Sequence, residues 1–325
     1  MDDGFSATGG APHPLVRPEP ALVPGGLTLA VRHRRRRAVA LAVVAVVSLL
    51  VGALVGVASR AGVAVGHAQP VTTSRYFARI KSLAGKGAAS FAAGEARAEK
   101  AALNRTLAYT PYVRIAGAQH REVALTFDDG PGPYTPDIVR QLERLHAPAT
   151  FFEVGVEERY FHAATAAIVA RGYPIGDHTE LHAAMSWLSR RDQRSELLQE
   201  TKAIGAYGAP FPHIFRPPYG LWNATTLSLL RKYRMLMVLW SVDTSDYLKP
   251  GVGVIVQRAL QGARPGAIIL LHDAGGNRTE TVAALPRIVR DLRARGYRLV
   301  TVPRLLLDNP APHDQNVAAL QGAGG

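Results

Sequence analysis

The chain has 325 residues, is 47% hydrophobic, contains no cysteine and carries a formal net charge of +13 at pH 7. That length can bury a sizeable core in one large domain or two ordinary ones, and the missing cysteine excludes disulfides, thiolate nucleophiles, Cys-ligated metals and cysteine lipidation. The basic balance points to an acidic partner such as a membrane surface or an anionic polymer. Nucleic acid is not the expected partner, because the basic residues after position 60 are scattered, with no basic helix and no aromatic-interleaved patch.

Residues 1–30 are rich in Pro, Gly and Ala with little to bury, so 1–37 is predicted to be a disordered tail. Arg34–Arg37 then abut an uncharged apolar run over 38–58. At about 1.5 Å per residue it reaches roughly 30 Å, a bilayer's hydrocarbon thickness, which predicts a transmembrane helix. The arginines place the N-terminal side in the cytoplasm and everything after residue 60 outside. Small residues at Gly66-His67-Ala68 would suit a signal-peptide cleavage that frees the rest. The apolar run is longer than a usual signal core and its leader is long, so an uncleaved single-pass anchor in the cell membrane is the expectation. Residues 59–114 read as an extracytoplasmic linker, with an Ala/Glu/Lys/Arg-rich stretch forming a polar helix or stalk, and 309–325 as a flexible tail.

Between them, 115–308 has a regular rhythm. Short apolar runs at 122–127, 149–154, 173–176, 213–216, 235–242, 267–272 and 298–302 read as strands. Stretches of helical spacing at 136–146, 158–171, 190–205, 223–233, 252–262 and 280–295 separate most of them. Alternation with nearly continuous apolar strands predicts an α/β fold, a parallel sheet covered by helices, and seven repeats suit a (β/α)7-type barrel. Such barrels gather their chemistry at the C-terminal ends of the strands.

The polar residues fall there. The first strand ends in Asp128-Asp129 and the third in Asp177, His178 and His182. The next ends in Arg216-Pro217-Pro218-Tyr219-Gly220, followed by Trp240 through Asp246 and then His272-Asp273. Singly, each is an ordinary cap or loop charge; five successive strand ends are not. His178 and His182 lie four apart, so one turn or a tight loop presents both imidazoles to one side. Two His and one carboxylate make a familiar catalytic metal set. One Asp of the pair can be the third ligand, which leaves the other as a base beside a metal-activated water.

TFDDGP (126–131), HTELH (178–182), RPPYG (216–220), WSVDTSDY (240–247) and LLH (270–272) resemble, in order and spacing, the five motifs of the polysaccharide deacetylases, the NodB-homology or carbohydrate esterase family 4 enzymes. The resemblance spans most of 120–305 and implies a distorted (β/α) barrel. It implies that Asp129, His178 and His182 hold a divalent metal, usually zinc, with Co2+ or Ni2+ also suited to the donors. It implies Asp128 as general base, His272 as general acid, Arg216 as the partner of Asp128, and Asp246 as the residue that orients His272. The Tyr219 N–H would stabilise the oxyanion, and Trp240 and Leu270 would line the acetyl pocket. The sequence departs from the family pattern at Tyr247, usually Trp, at Glu180 between the two His, and at Met185, usually Leu.

Three functions compete. One is metal-dependent N-deacetylation of an extracytoplasmic N-acetylated glycan, with peptidoglycan expected. The second is C–N hydrolysis of another substrate in the same superfamily, and the third is a non-enzymatic module that binds cell-wall glycan.

Overall fold

In the computed structural model, residues 92–316 are described. The expected tail, membrane segment and most of the linker (1–91), and the last part of the C-terminal tail (317–325), lie outside them. Among the described residues no helix is long and apolar enough to cross a membrane.

The body follows the predicted alternation. A helix over 92–109 (α1) leads to β1 (Tyr112–Val113), β2 (Glu122–Gly130), α2 (Thr135–Arg144), β3 (Thr150–Glu153), α3 (Gly155–Tyr160) and α4 (His162–Ala170). Then come β4 (Ile175–Asp177), α5 (Arg190–Gly205), β5 (Ile214–Phe215), α6 (Ala224–Tyr233), β6 (Leu236–Val238) and β7 (Val242–Asp243). The last elements are α7 (Val252–Gly262), β8 (Ala267–His272), α8 (Thr279–Ala294), β9 (Arg298–Leu299) and α9 (Val302–Asp308). The strand ladders are all parallel, in the order β1-β6-β5-β4-β3-β2-β8-β7, with β9 also on β2. β6 and β7 are three residues apart in the chain yet lie near opposite ends of this path. The sheet therefore curls into a distorted barrel whose ends are joined by the chain itself.

Local chemistry sets the elements. α2 starts with Pro136 in its first turn and Asp137 near its positive end, and buries Ile138, Val139 and Leu142 at helical spacing. α6 is fixed by a reciprocal capping box between Asn223 and Thr226. In β2 the two faces divide cleanly. Val123, Leu125 and Phe127 face the helices with Ile138, Ile269, Leu271 and Leu285, while Ala124 points into the barrel with Phe152 and Ile268. By the same alternation Thr126 and Asp128 face inward, above Ala124.

Several expectations change. The boundary placed at 115 falls inside the folded body. Ala102, Leu103 and Thr106 of α1 are buried, and Leu103 joins the barrel-floor cluster with Leu305 and Leu306, so this part of the expected stalk packs on the domain. Its apolar positions recur at helical spacing, which gives the helix a core-facing stripe. β1 was missed because two residues carry no periodicity. The strand expected at 235–242 is split by a bend at 239–241, and the helix expected at 158–171 is two helices meeting at Phe161. Residues 302–308 form a helix capped by Thr301. The chain beyond 308, expected to be flexible, is pinned as far as it is described. Buried Asn309 donates to Glu122 and accepts from the His120 N–H, and Gln315 Oε1 accepts from the Arg114 and Ile115 amides.

Candidate metal and hydrolytic site

The site begins with the backbone of β2. Straight strand alternation would send Asp128 and Asp129 to opposite faces. Instead the β2–β3 register shifts between Asp128 and Gly130, and Asp129 takes a left-handed φ of 70°. This bulge leaves Asp129 unpaired and swings its carboxylate toward the barrel mouth beside Asp128. Behind the turn there is no space for a side chain. A Cβ on Gly130 would lie 2.6 and 2.7 Å from the two Asp273 carboxylate oxygens. On the front side, Gly275, at φ 70°, lets the 274–276 loop close on the Asp129 carboxylate.

Asp129 gathers the two imidazoles. His182 Nε2 lies 3.0 Å and His178 Nε2 3.5 Å from Asp129 Oδ1, and ligand atoms of the three residues lie within 4.8 Å of one another. His178 Nδ1 is 2.7 Å from the Arg216 carbonyl, to which it donates, so Nε2 is the nitrogen turned toward Asp129. His182 has a left-handed φ of 54°, and its Nδ1 sits 3.0 Å from the Tyr219 hydroxyl. Burial raises Asp129, but hydrogen bonds to His178 and His182 outweigh it and hold the carboxyl well below the usual range. Two imidazoles and one carboxylate converging on one point fit a divalent metal, and these donors favour zinc-like ions over calcium or magnesium. D129A is expected to remove that metal: metal content of the purified chain falls from one equivalent to none, and hydrolysis falls to background.

Asp128 is positioned differently. Arg216, fully buried on the barrel axis, donates through Nη1 to Asp128 Oδ1 at 2.6 Å and to Thr126 Oγ1 at 2.9 Å. Its Nε and Nη2 reach the Val238 and Leu239 carbonyls, and its guanidinium lies over the Phe152 ring at 4.1 Å. Four of the five guanidinium N–H groups are engaged, so Asp128 meets a fixed charge. Asp128 Oδ2 is 3.9 Å from His178 Nε2.

Beside Asp128 stands His272. The β2–β8 register aligns Asp128 with His272 on neighbouring strands. His272 Nδ1 is 2.7 Å from Asp246 Oδ1, and the His272 amide and the Thr281 hydroxyl both donate to Asp246 Oδ2, at 2.9 and 2.7 Å. Burial lowers His272, but Asp246, helped by Asp129 and Asp128, raises it to about 9, so the imidazole is protonated at neutral pH. Burial raises Asp246 in turn, and His272 pulls it below its ordinary value.

All ten residues expected from the sequence are brought to one cavity or its wall. The cavity, about 560 Å3, is lined by Asp128, Asp129, His178, His182, Tyr219, Trp240, Leu270 and His272, while Arg216 and Asp246 lie directly behind. Tyr219, at φ 60°, turns the chain back over His182, and Tyr247 places its ring edge-on to His272 at 5.3 Å.

The sequence reading placed Asp273 at a strand end without a role and missed Thr126, Thr135 and Thr281. Asp273 is buried; it accepts a short hydrogen bond from Thr135, whose hydroxyl accepts from the Gly132 amide, and its own amide donates to the Asp128 carbonyl at 3.2 Å. It braces the turn that aims Asp129. Its position directly after His272 was the available signal. Thr281 gave none, since it lies 35 residues from Asp246. D273A is expected to weaken zinc binding by about 10- to 100-fold, the range for groups that support a ligand, and D273N less. Competition against a chromophoric chelator measures both.

A parallel α/β barrel with an Asp-His-His cluster at its mouth, a clamped carboxylate on one side and a carboxylate-held imidazole on the other defines a hydrolytic centre. Residues 116–238 match the polysaccharide deacetylase family. A chitooligosaccharide deacetylase of Sinorhizobium fredii is 35% identical over 213 residues, covering 62% of this chain and 99% of that protein. A peptidoglycan-N-acetylglucosamine deacetylase of Bacillus cereus is 36% identical over 208 residues, covering 63% and 97%. The crystal structure of a peptidoglycan N-acetylglucosamine deacetylase bound to a naphthyl N-hydroxybenzamide superposes with a TM-score of 0.59 at 30% identity, covering 63% of this chain and 95% of that one. The chain belongs to the polysaccharide deacetylase family and is a deacetylase-type hydrolase of carbohydrate esterase family 4.

Proposed function

We propose that the protein removes N-acetyl groups from amino sugars of an extracytoplasmic glycan, peptidoglycan first. The observation that carries this is the separation of roles around one cavity: a carboxylate clamped by Arg216, Asp128, and an imidazole held by Asp246, His272, line the same cavity as the Asp129-His178-His182 cluster. Amide hydrolysis needs that separation, because water must lose a proton while nitrogen gains one.

A divalent metal, zinc for preference, would be held by Asp129, His178 and His182 and would supply Lewis acidity for the water and the acyl oxygen. Asp128 takes the proton of the attacking water; its Arg216 partner fixes its direction. The Tyr219 amide stabilises charge that develops on the acyl oxygen. His272, charged and held through Nδ1 by Asp246, offers its Nε2 proton to the departing amine. Trp240 and Leu270 wall the space that takes the acetyl methyl.

Peptidoglycan is favoured by three features. The protein of Bacillus cereus carries that activity in its name, the chain is basic at +13, and 38–58 reads as a membrane anchor with Arg34–Arg37 on its cytoplasmic side. Enzymatic hydrolysis is favoured over a binding-only module because the metal cluster, base and acid are all present and mutually oriented. The test compares acetate release by the full chain from purified peptidoglycan and from chitooligosaccharides. Faster release from peptidoglycan is expected; release from chitooligosaccharides alone would move the substrate to free amino-sugar oligomers.

A further inference from the structure

Behind the loop that carries His178 and His182 lies a second acidic centre that the hydrolytic chemistry does not use. Glu153 ends β3, Glu158 lies on α3, Glu180 stands between the two histidines, and Glu200 lies on α5. All four are at most 2% exposed. Both carboxylate oxygens of Glu200 and Oε2 of Glu180 are buried without a hydrogen-bond partner, and the Glu153 and Glu158 carboxyls, buried with no N–H donor, have each other within hydrogen-bonding reach, with Thr165 beside Glu153. Glu180 and Glu200 converge: a Cβ on Gly155, the first residue of α3, would collide with a carboxylate oxygen of each, and the charges of Glu153 and Glu158 act on Glu200 as well. Around them, Asp177 and Glu196 are already supplied, Asp177 by the Thr179 amide and Thr201 and Glu196 by the Leu181 amide. Among the described residues, the cation paired with the cluster is Arg159, on Glu180.

A buried carboxylate without a donor is costly, and several sharing one space are untenable unless positive charge joins them. Burial raises Glu153 and Glu200 well above the usual range and Glu158 to about 8, and repulsion from neighbouring carboxylates adds to it.

We infer that Glu153, Glu158, Glu180 and Glu200 form a second cation site, for a hard divalent ion of calcium's class, that braces the metal-ligand loop from behind. The donors are all oxygen, as hard cations prefer. Among the described residues, only Asp129, His178 and His182 bring three ligand atoms within 4.8 Å of one another. The glutamate oxygens do not meet three at a time within that distance, so a cation there would complete its shell with water. The position gives such an ion a task. The Thr179 and Glu180 carbonyls already accept from the Gly155 and Val156 amides at 3.2 and 2.9 Å, so α3 and the His178–His182 loop move together. A cation joining Glu180 to Glu200 would fasten both to α5.

The test loads the full chain with one equivalent of zinc, then titrates Ca2+, with Mg2+ in a parallel arm, following heat of binding and Tm. The expected result is one further equivalent of Ca2+ or Mg2+, a Tm that rises with it, and loss of both effects in E153Q/E200Q with zinc content unchanged. E200Q alone gives a second, milder variant with the same direction. Absence of uptake up to about 1 mM, the range of extracellular calcium modules, would overturn the inference and leave protons as the neutralising charge. Equal uptake by parent and E153Q/E200Q would also overturn it, by placing the ion elsewhere. Acetate release is not a readout here, so the deacetylase reading stands or falls separately.

Discussion

Replacing Asp128 with asparagine is expected to lower kcat on an N-acetylglucosamine oligomer by about 10²- to 10⁴-fold, the usual contribution of a positioned general base. Metal content should stay at one equivalent, because Asp128 does not belong to the Asp129-His178-His182 cluster. The substitution is informative because it is isosteric. The amide of D128N keeps an Oδ1 that accepts from Arg216 Nη1, so the buried guanidinium retains its contact and the fold its support. Alanine would be a poorer probe: an unpartnered buried Arg216 would cost about 3–5 kcal/mol and confuse stability with catalysis. Metal analysis, Tm and kcat on the same preparation separate these effects. If D128N keeps kcat within about tenfold of the parent, the base is another group.

The second large effect concerns the acid. Asp246 raises His272 to about 9, and with asparagine in its place the imidazole returns toward its ordinary value of about 6.5. A dication bound at Asp129 opposes part of the rise, because Asp129 and Asp128 also contribute to it. D246N is therefore expected to move the basic limb of kcat/KM down by about one to two pH units, while D128N, which removes only the smallest contribution to the His272 rise, moves that limb less. Stability follows with a definite sign. A His raised on folding contributes stability that is complete below its unfolded value, near 6.5, and is lost as pH rises through about 9. The Tm difference between parent and D246N should therefore be largest below about pH 6.5 and narrow toward about pH 9, with an upper limit near 3 kcal/mol.

Much of this site was legible because strand-end chemistry repeats on schedule. The five motifs lie where apolar strand runs give way to polar residues, and a parallel barrel collects those ends at one mouth. What the sequence did not reveal has physical causes. Straight alternation would separate Asp128 from Asp129, and only the bulge and the left-handed Asp129 show how they share one face. Thr281 and Asp246 meet through a long-range contact between α8 and the 243–248 loop, which local pattern cannot encode. Glu180, which stood out only as a departure from the family pattern, is turned inward, toward Glu200 and away from solvent. The edges of the domain were misread for a related reason. α1 and the 309–316 segment have polar compositions, and a few buried side chains, Leu103 and Asn309 among them, decide that they pack.

The most direct measurement is acetate released per chain from N-acetylglucosamine oligomers by the zinc-loaded protein, run beside a chelated sample and D128N. Many equivalents of acetate from the loaded parent are expected, with none above background after chelation and little from D128N despite its bound metal. Zinc-loaded parent that binds the oligomers and releases no acetate, or chelated parent that releases it undiminished, would contradict the account.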